Sequence, residues 1–145
     1  MQKIKVNSER YTLKQVIVLA FLFIMIGTLL ELYLLNHYED TLQLIPVFCI
    51  AIALINSIFI YFRRSKVTFN IFKVVLFLTS LSGIYGVFLH LKANYEFEQE
   101  MSPTANFWEL FLESISGAFP ALAPLSMVVL ALIGYSYLIL INQKQ

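Results

Sequence analysis

Apolar residues fill four stretches of this chain, and polar residues gather at their ends instead of alternating within them. The stretches cover about 14–35, 42–62, 69–91 and 114–141. Each holds the roughly 20 mainly apolar residues needed to cross a bilayer core, where the usual range is about 17–25. Lipid offers no partner to free backbone N–H and C=O groups, so each stretch predicts a helix. Connections at 36–41 and 63–68 are short, which predicts antiparallel neighbours. The third connection, about 92–113, is the only long loop. No internal repeat or low-complexity segment breaks the pattern. The expected fold class is all-α: one domain over 1–145, an integral membrane four-helix bundle running up-down-up-down.

Composition agrees with this class. Of 145 residues, 59% are hydrophobic and 13% charged, against about 25% charged in an ordinary soluble domain. The net charge of +1 gives no reason to expect nucleic acid as a partner. The one cysteine, Cys49, excludes an intrachain disulfide and zinc-finger spacings. Lys3, Lys5, Arg10 and Lys14 precede the first apolar run, as in a signal peptide. That run exceeds the usual core of about 7–15 residues and no A-x-A-like cleavage site follows, so it reads as a retained span.

Charge distribution sets the expected orientation. Lys and Arg favour the cytoplasmic side. With four spans, Lys3, Lys5, Arg10, Lys14, Arg63, Arg64, Lys66, Lys73 and Lys144 fall on one side, leaving only Lys92 on the other. Both termini are therefore expected in the cytoplasm, with the chain in the plasma (inner) membrane. The acids divide oppositely. Glu9 is inside, while Glu31, Glu39, Asp40, Glu96, Glu98, Glu100, Glu109 and Glu113 lie outside or in the outer half.

Small residues mark the faces expected to pack together. Ala20, Gly27 and Glu31 share a stripe on the first helix. Cys49, Ala53 and Asn56 share one on the second, with Asn56 expected to bond across helices. Thr79, Gly83, Gly86 and His90 share one on the third. Glu113, Gly117, Ala121, Pro124, Val128 and Ala131 share one on the fourth. If all four face inward, Glu31, His90 and Glu113 converge near the outer boundary, with His37 joining from above. Pro120 and Pro124 remove backbone donors and predict a kink. The run Phe107–Glu113 is aromatic and amphipathic, and predicts a short interfacial helix anchored by Trp108.

Those outer residues carry the candidate chemistry. Glu31, His90, Glu113, His37 and Glu109 are the candidates for binding a ligand, proton or cation. A carboxylate within a span is by default a functional hypothesis, although Glu31 sits near the end of its helix. His90, Glu31 and Glu113 could hold a divalent metal such as zinc, manganese or iron, but HExxH, ExxH and HxxxH spacings are absent. Haem is disfavoured, because both histidines lie at the outer boundary and only one falls within a span. Glu96, Glu98 and Glu100 would line one side of an extended loop and attract a hard cation. If the third helix continues instead, His90, Asn94 and Glu98 share a face. No nucleophile elbow, phosphate loop or dinucleotide fingerprint is present.

Three functions remain open. The first is a non-catalytic subunit or accessory and assembly factor of a membrane complex, with a protein partner or a homo-oligomer in the bilayer. The second is a cation- or proton-handling protein with an outer acidic vestibule. The third is a metal-dependent membrane enzyme acting at the outer boundary. Small size and the lack of catalytic motifs favour the first.

Overall fold

The computed structural model describes residues 2–142, and these form five helices. They are α1 (Gln2–Leu34), α2 (Thr41–Phe62), α3 (Lys66–Met101), α4 (Phe107–Ile115) and α5 (Leu125–Asn142). Four of them, all but α4, are long and apolar enough to cross a membrane. These are the dimensions of a multi-pass membrane protein. Lys144, counted above with the basic residues, lies outside the described residues.

Local chemistry fixes where the helices start and stop. Asp40, Ser65 and Asn106 each begin a helix as N-caps, with Gln43, Thr68 and Glu109 closing the reciprocal bond three residues on. Asn36 ends the turn after α1 with φ of 51°, a conformation Asn tolerates better than most residues. His37 N–H then reaches back to Leu32 C=O and Asn36 N–H to Tyr33 C=O. That pair of bonds is the Schellman arrangement.

Two boundaries differ from the sequence reading. The third helix does not end at 91. It runs 36 residues, to Met101, about 54 Å at 1.5 Å per residue. The 92–113 segment is therefore mostly helix, with only residues 102–106 between α3 and α4. The fourth long helix begins at Leu125, not 114. Residues 116–124 form turns in place of a kinked helix, with bonds from Ala123 N–H to Pro120 C=O and from Leu125 N–H to Leu122 C=O. Two prolines four residues apart remove two donors and push Phe119 and Ala123 out of helical geometry.

The long helices close a ring: α1 packs on α2, α2 on α3, α3 on α5, and α5 on α1. The α3–α5 seam is the most extensive. A Cβ added at Gly83 would lie 2.7 Å from Pro124 O, at Gly86 2.8 Å from Pro124 Cβ, and at Gly134 2.6 Å from Leu76 Cδ2. Backbones approach there because side chains are missing. The core is Phe21 and Met25 from α1, Ile50 and Ala53 from α2, Phe72 and Leu76 from α3, and Met127, Leu130 and Leu138 from α5.

The first helix corrects the stripe reading. Gly27 and Glu31 are exposed, and nothing lies within 4 Å of a Cβ placed at Gly27. The face turned inward holds Phe21, Met25 and Thr28. Large apolar side chains, offset by one position, seat α1 against α5. Asn56 also departs from expectation: its Nδ2 donates to Ile52 C=O one turn back in its own helix.

Candidate functional site

Polar side chains do gather where α3 meets α4 and the 116–124 turns, and their centre is Asn94. This residue is 1% exposed. Its Nδ2 donates to Ser114 C=O at 2.8 Å and Phe119 C=O at 2.7 Å, and its Oδ1 accepts from Phe119 N–H at 3.0 Å. One carboxamide thus satisfies three backbone groups that the proline-broken segment leaves without helical partners. Gly117 permits this. A Cβ there would lie 2.5 Å from Asn94 Cγ. Ser114, also buried, donates its hydroxyl to Leu110 C=O.

One turn before Asn94, His90 makes a parallel contact. Its Nδ1 lies 3.0 Å from Pro120 O. A carbonyl only accepts, so in this contact Nδ1 carries the proton and Nε2 is left to accept or to be protonated. The ring sits 6.0 Å from that of His37 at 70°, and 6.1 Å from that of Phe119. His37 is half-buried, and burial pulls its pKa below the ordinary 6.5, with the charge of His90 adding to the effect. The Schellman turn after α1 holds His37 over this contact.

The structure brings His37 and His90 together and leaves the carboxylates apart. Glu31 and Glu113 are exposed, and no hydrogen bond or ion pair joins either side chain to the histidines among the described residues. Among the described residues no group of three or more His, Cys, Asp or Glu could hold a metal ion. Glu109 serves α4 itself: its carboxylate accepts from the N–H of Asn106 at 3.0 Å. Glu96 pairs with Lys92 at 3.5 Å, with both side chains more than half exposed, a contact of small energetic weight. Because α3 continues through 96–100, Glu96 and Glu100 share one face of the helix and Glu98 lies on the opposite one. The extended, one-sided acidic loop is overturned.

Sequence reasoning singled out His90 and placed Asn94 on its face, without recognising Asn94 as the centre. The signal was there: Gly86, His90 and Asn94 continue one stripe at spacings of four, facing Pro124, Pro120 and Phe119. What the stripe positions is a folded backbone loop.

Two clefts lie toward the other end of the bundle. One, of about 720 Å³, separates α1 from α2, walled by Val18, Leu19 and Leu22 and by Leu54, Ile58 and Phe62. Lys14, Gln15, Ser57, Tyr61 and Tyr137 also line it. The other, of about 310 Å³, lies between the start of α3 and the end of α5.

No family model, no curated protein and no solved structure matches this chain.

Proposed function

We propose that the chain is a subunit or accessory factor of a membrane complex that docks a transmembrane helix of a partner protein, without a catalytic site of its own. In this reading its four spans run up-down-up-down in the plasma membrane, with both termini cytoplasmic and the acidic residues outside. Helix α4 then lies in the outer interface. Its exposed arc of Phe107, Trp108, Phe111, Leu112 and Ile115 suits that depth.

The observation that carries the reading is the cleft between α1 and α2. Around Gly83, Gly86 and Gly134 the ring is closed by close packing. Here it stays open along α1 from Lys14 to Leu22, about 12 Å. Close packing is the rule in protein interiors, so a 720 Å³ apolar gap between neighbouring helices is a place for side chains from elsewhere. The polar groups at the α4 end are engaged in holding the 116–124 turns, which fits a structural role for that end.

The test is site-specific photocrosslinking in native membranes. A photoreactive residue at Leu19 or Ile58 is expected to give one discrete adduct, and one at exposed Phe77 on α3 none. Filling the cleft with Val18→Trp and Ser57→Trp is expected to abolish the adduct while the chain still extracts as a folded species. A crosslink to lipid alone, or an adduct that survives the filled cleft, would overturn the proposal. An adduct at twice the chain's own mass would replace the foreign partner with a second copy.

A further inference from the structure

The cleft between α3 and α5 has a different character from the one used for docking. Lys66, Asn70 and Lys73 line it from α3, and Tyr135 and Asn142 from α5, while Phe69, Leu138 and Ile139 supply an apolar wall. Both sets follow one-face helical spacing, so the two antiparallel helix ends present matched surfaces. The volume of about 310 Å³ falls at the lower end of the range for small-molecule sites, about 300–1,000 Å³. No carboxylate lines the cleft, and neither Lys66 nor Lys73 has an acidic partner among the described residues.

Two uncompensated ammonium groups and two carboxamides around one small cleft have the chemistry of an oxyanion site. The apolar wall asks for a hydrocarbon attached to that oxyanion. We infer that this cleft binds the phosphate of an anionic phospholipid, with an acyl chain along Phe69, Leu138 and Ile139. Lys73 stands about 10 Å along the axis from Lys66. Its long stem lets the ammonium reach back toward the helix start, so it meets the phosphate from the hydrocarbon side while Lys66 meets it from the water side. A free phosphate would satisfy the lysines and leave the apolar wall uncovered; a phospholipid satisfies both. The inference stands apart from partner docking, since the clefts lie on different helix pairs.

Native mass spectrometry of the full chain, titrated with phosphatidylglycerol or phosphatidylcholine, tests it. Phosphatidylglycerol is expected to be retained preferentially. Lys66→Gln with Lys73→Gln is expected to lower its affinity about thirtyfold, at roughly a fivefold loss per lysine. Lys66→Arg with Lys73→Arg is expected to keep it, as is Lys92→Gln at the other end. Equal retention of the two lipids by the wild type, or full retention by the double Gln variant, would overturn the inference. So would displacement of bound phosphatidylglycerol by millimolar inorganic phosphate, which would assign the cleft to a soluble oxyanion.

Discussion

Asn94 shows how much one side chain can organise. Its carboxamide is buried and spends both donors and its oxygen on three bonds to the backbone of residues 114 and 119. Asn94→Ala leaves those groups buried and unpaired, at an expected cost of about 2–4 kcal/mol, read as a lowered thermal midpoint in detergent. Gly117→Ala is expected to do comparable harm, because its Cβ would meet Asn94 Cγ at 2.5 Å. The two effects should not add: with Asn94 already replaced by Ala, the added methyl meets no carboxamide and costs less. Additive losses in the double-mutant cycle would refute this coupling. His37 gives a second expectation. An unfolded chain binds a proton at His37 near the ordinary value of 6.5, while the fold keeps the ring neutral to lower pH. The unfolded state therefore holds more protons in that window, and stability must fall as pH drops through it. Above 6.5 both states are neutral and the contribution vanishes. His37→Phe is expected to flatten the acid side of a stability-versus-pH profile and leave the alkaline side unchanged.

At the scale of elements, the two largest departures from the sequence pattern share a cause. Hydropathy alone ended the third helix at residue 91, where charged residues begin. The backbone needs no hydrophobic environment to stay helical, and α3 continues to Met101 because nothing before Ser102 and Pro103 interrupts it. Hydropathy also joined residues 114–124 to the last span, although two prolines and Gly117 stood within it. The apolar runs placed the starts of α2 and α3 in outline, and the capping residues that fix them stand in the sequence: Asp40 before α2, Ser65 before α3 and Asn106 before α4. The site was legible in part. The α3 stripe did face inward, but the stripe on α1 did not, because small residues on a helix mark a close approach without saying to what. Gly83 and Gly27 test that distinction. Gly83→Ala would press on Pro124 O at 2.7 Å and Met127 Cβ at 2.9 Å, and is expected to cost about 1–3 kcal/mol. Gly27→Ala meets nothing within 4 Å, and is expected to leave the isolated chain's stability unchanged or raise it by up to about 1 kcal/mol. Equal loss at both positions would show that the α1 surface is occupied by the chain's own fold.

The molecule as a whole is polarised in two ways that reinforce each other. Among the described side chains, Lys14, Arg63, Arg64, Lys66 and Lys73 fall toward the ends of α2 and α3 that meet at residues 63–66, and Glu31, Glu39, Asp40, Glu96, Glu98, Glu100, Glu109 and Glu113 toward the ends near α4. Geometry follows the same axis. The 310 Å³ cleft opens at the basic end, while the Asn94-held turns close the acidic end. An orientation with the basic end in the cytoplasm places the lysine cleft at the leaflet rich in anionic lipid and leaves the acids in the external medium. The opposite orientation would expose a lysine-lined cleft to that medium and push eight acids toward an anionic surface. Single-cysteine labelling separates the two. In a Cys49→Ser background, Gln99→Cys is expected to react with a membrane-impermeant maleimide on intact cells. Arg64→Cys is expected to react only after permeabilisation. Both positions are exposed, so a difference between them reports the side of the membrane and not burial. Labelling of Arg64→Cys alone on intact cells would invert the chain, and would move the phospholipid expected in the lysine cleft to the outer leaflet.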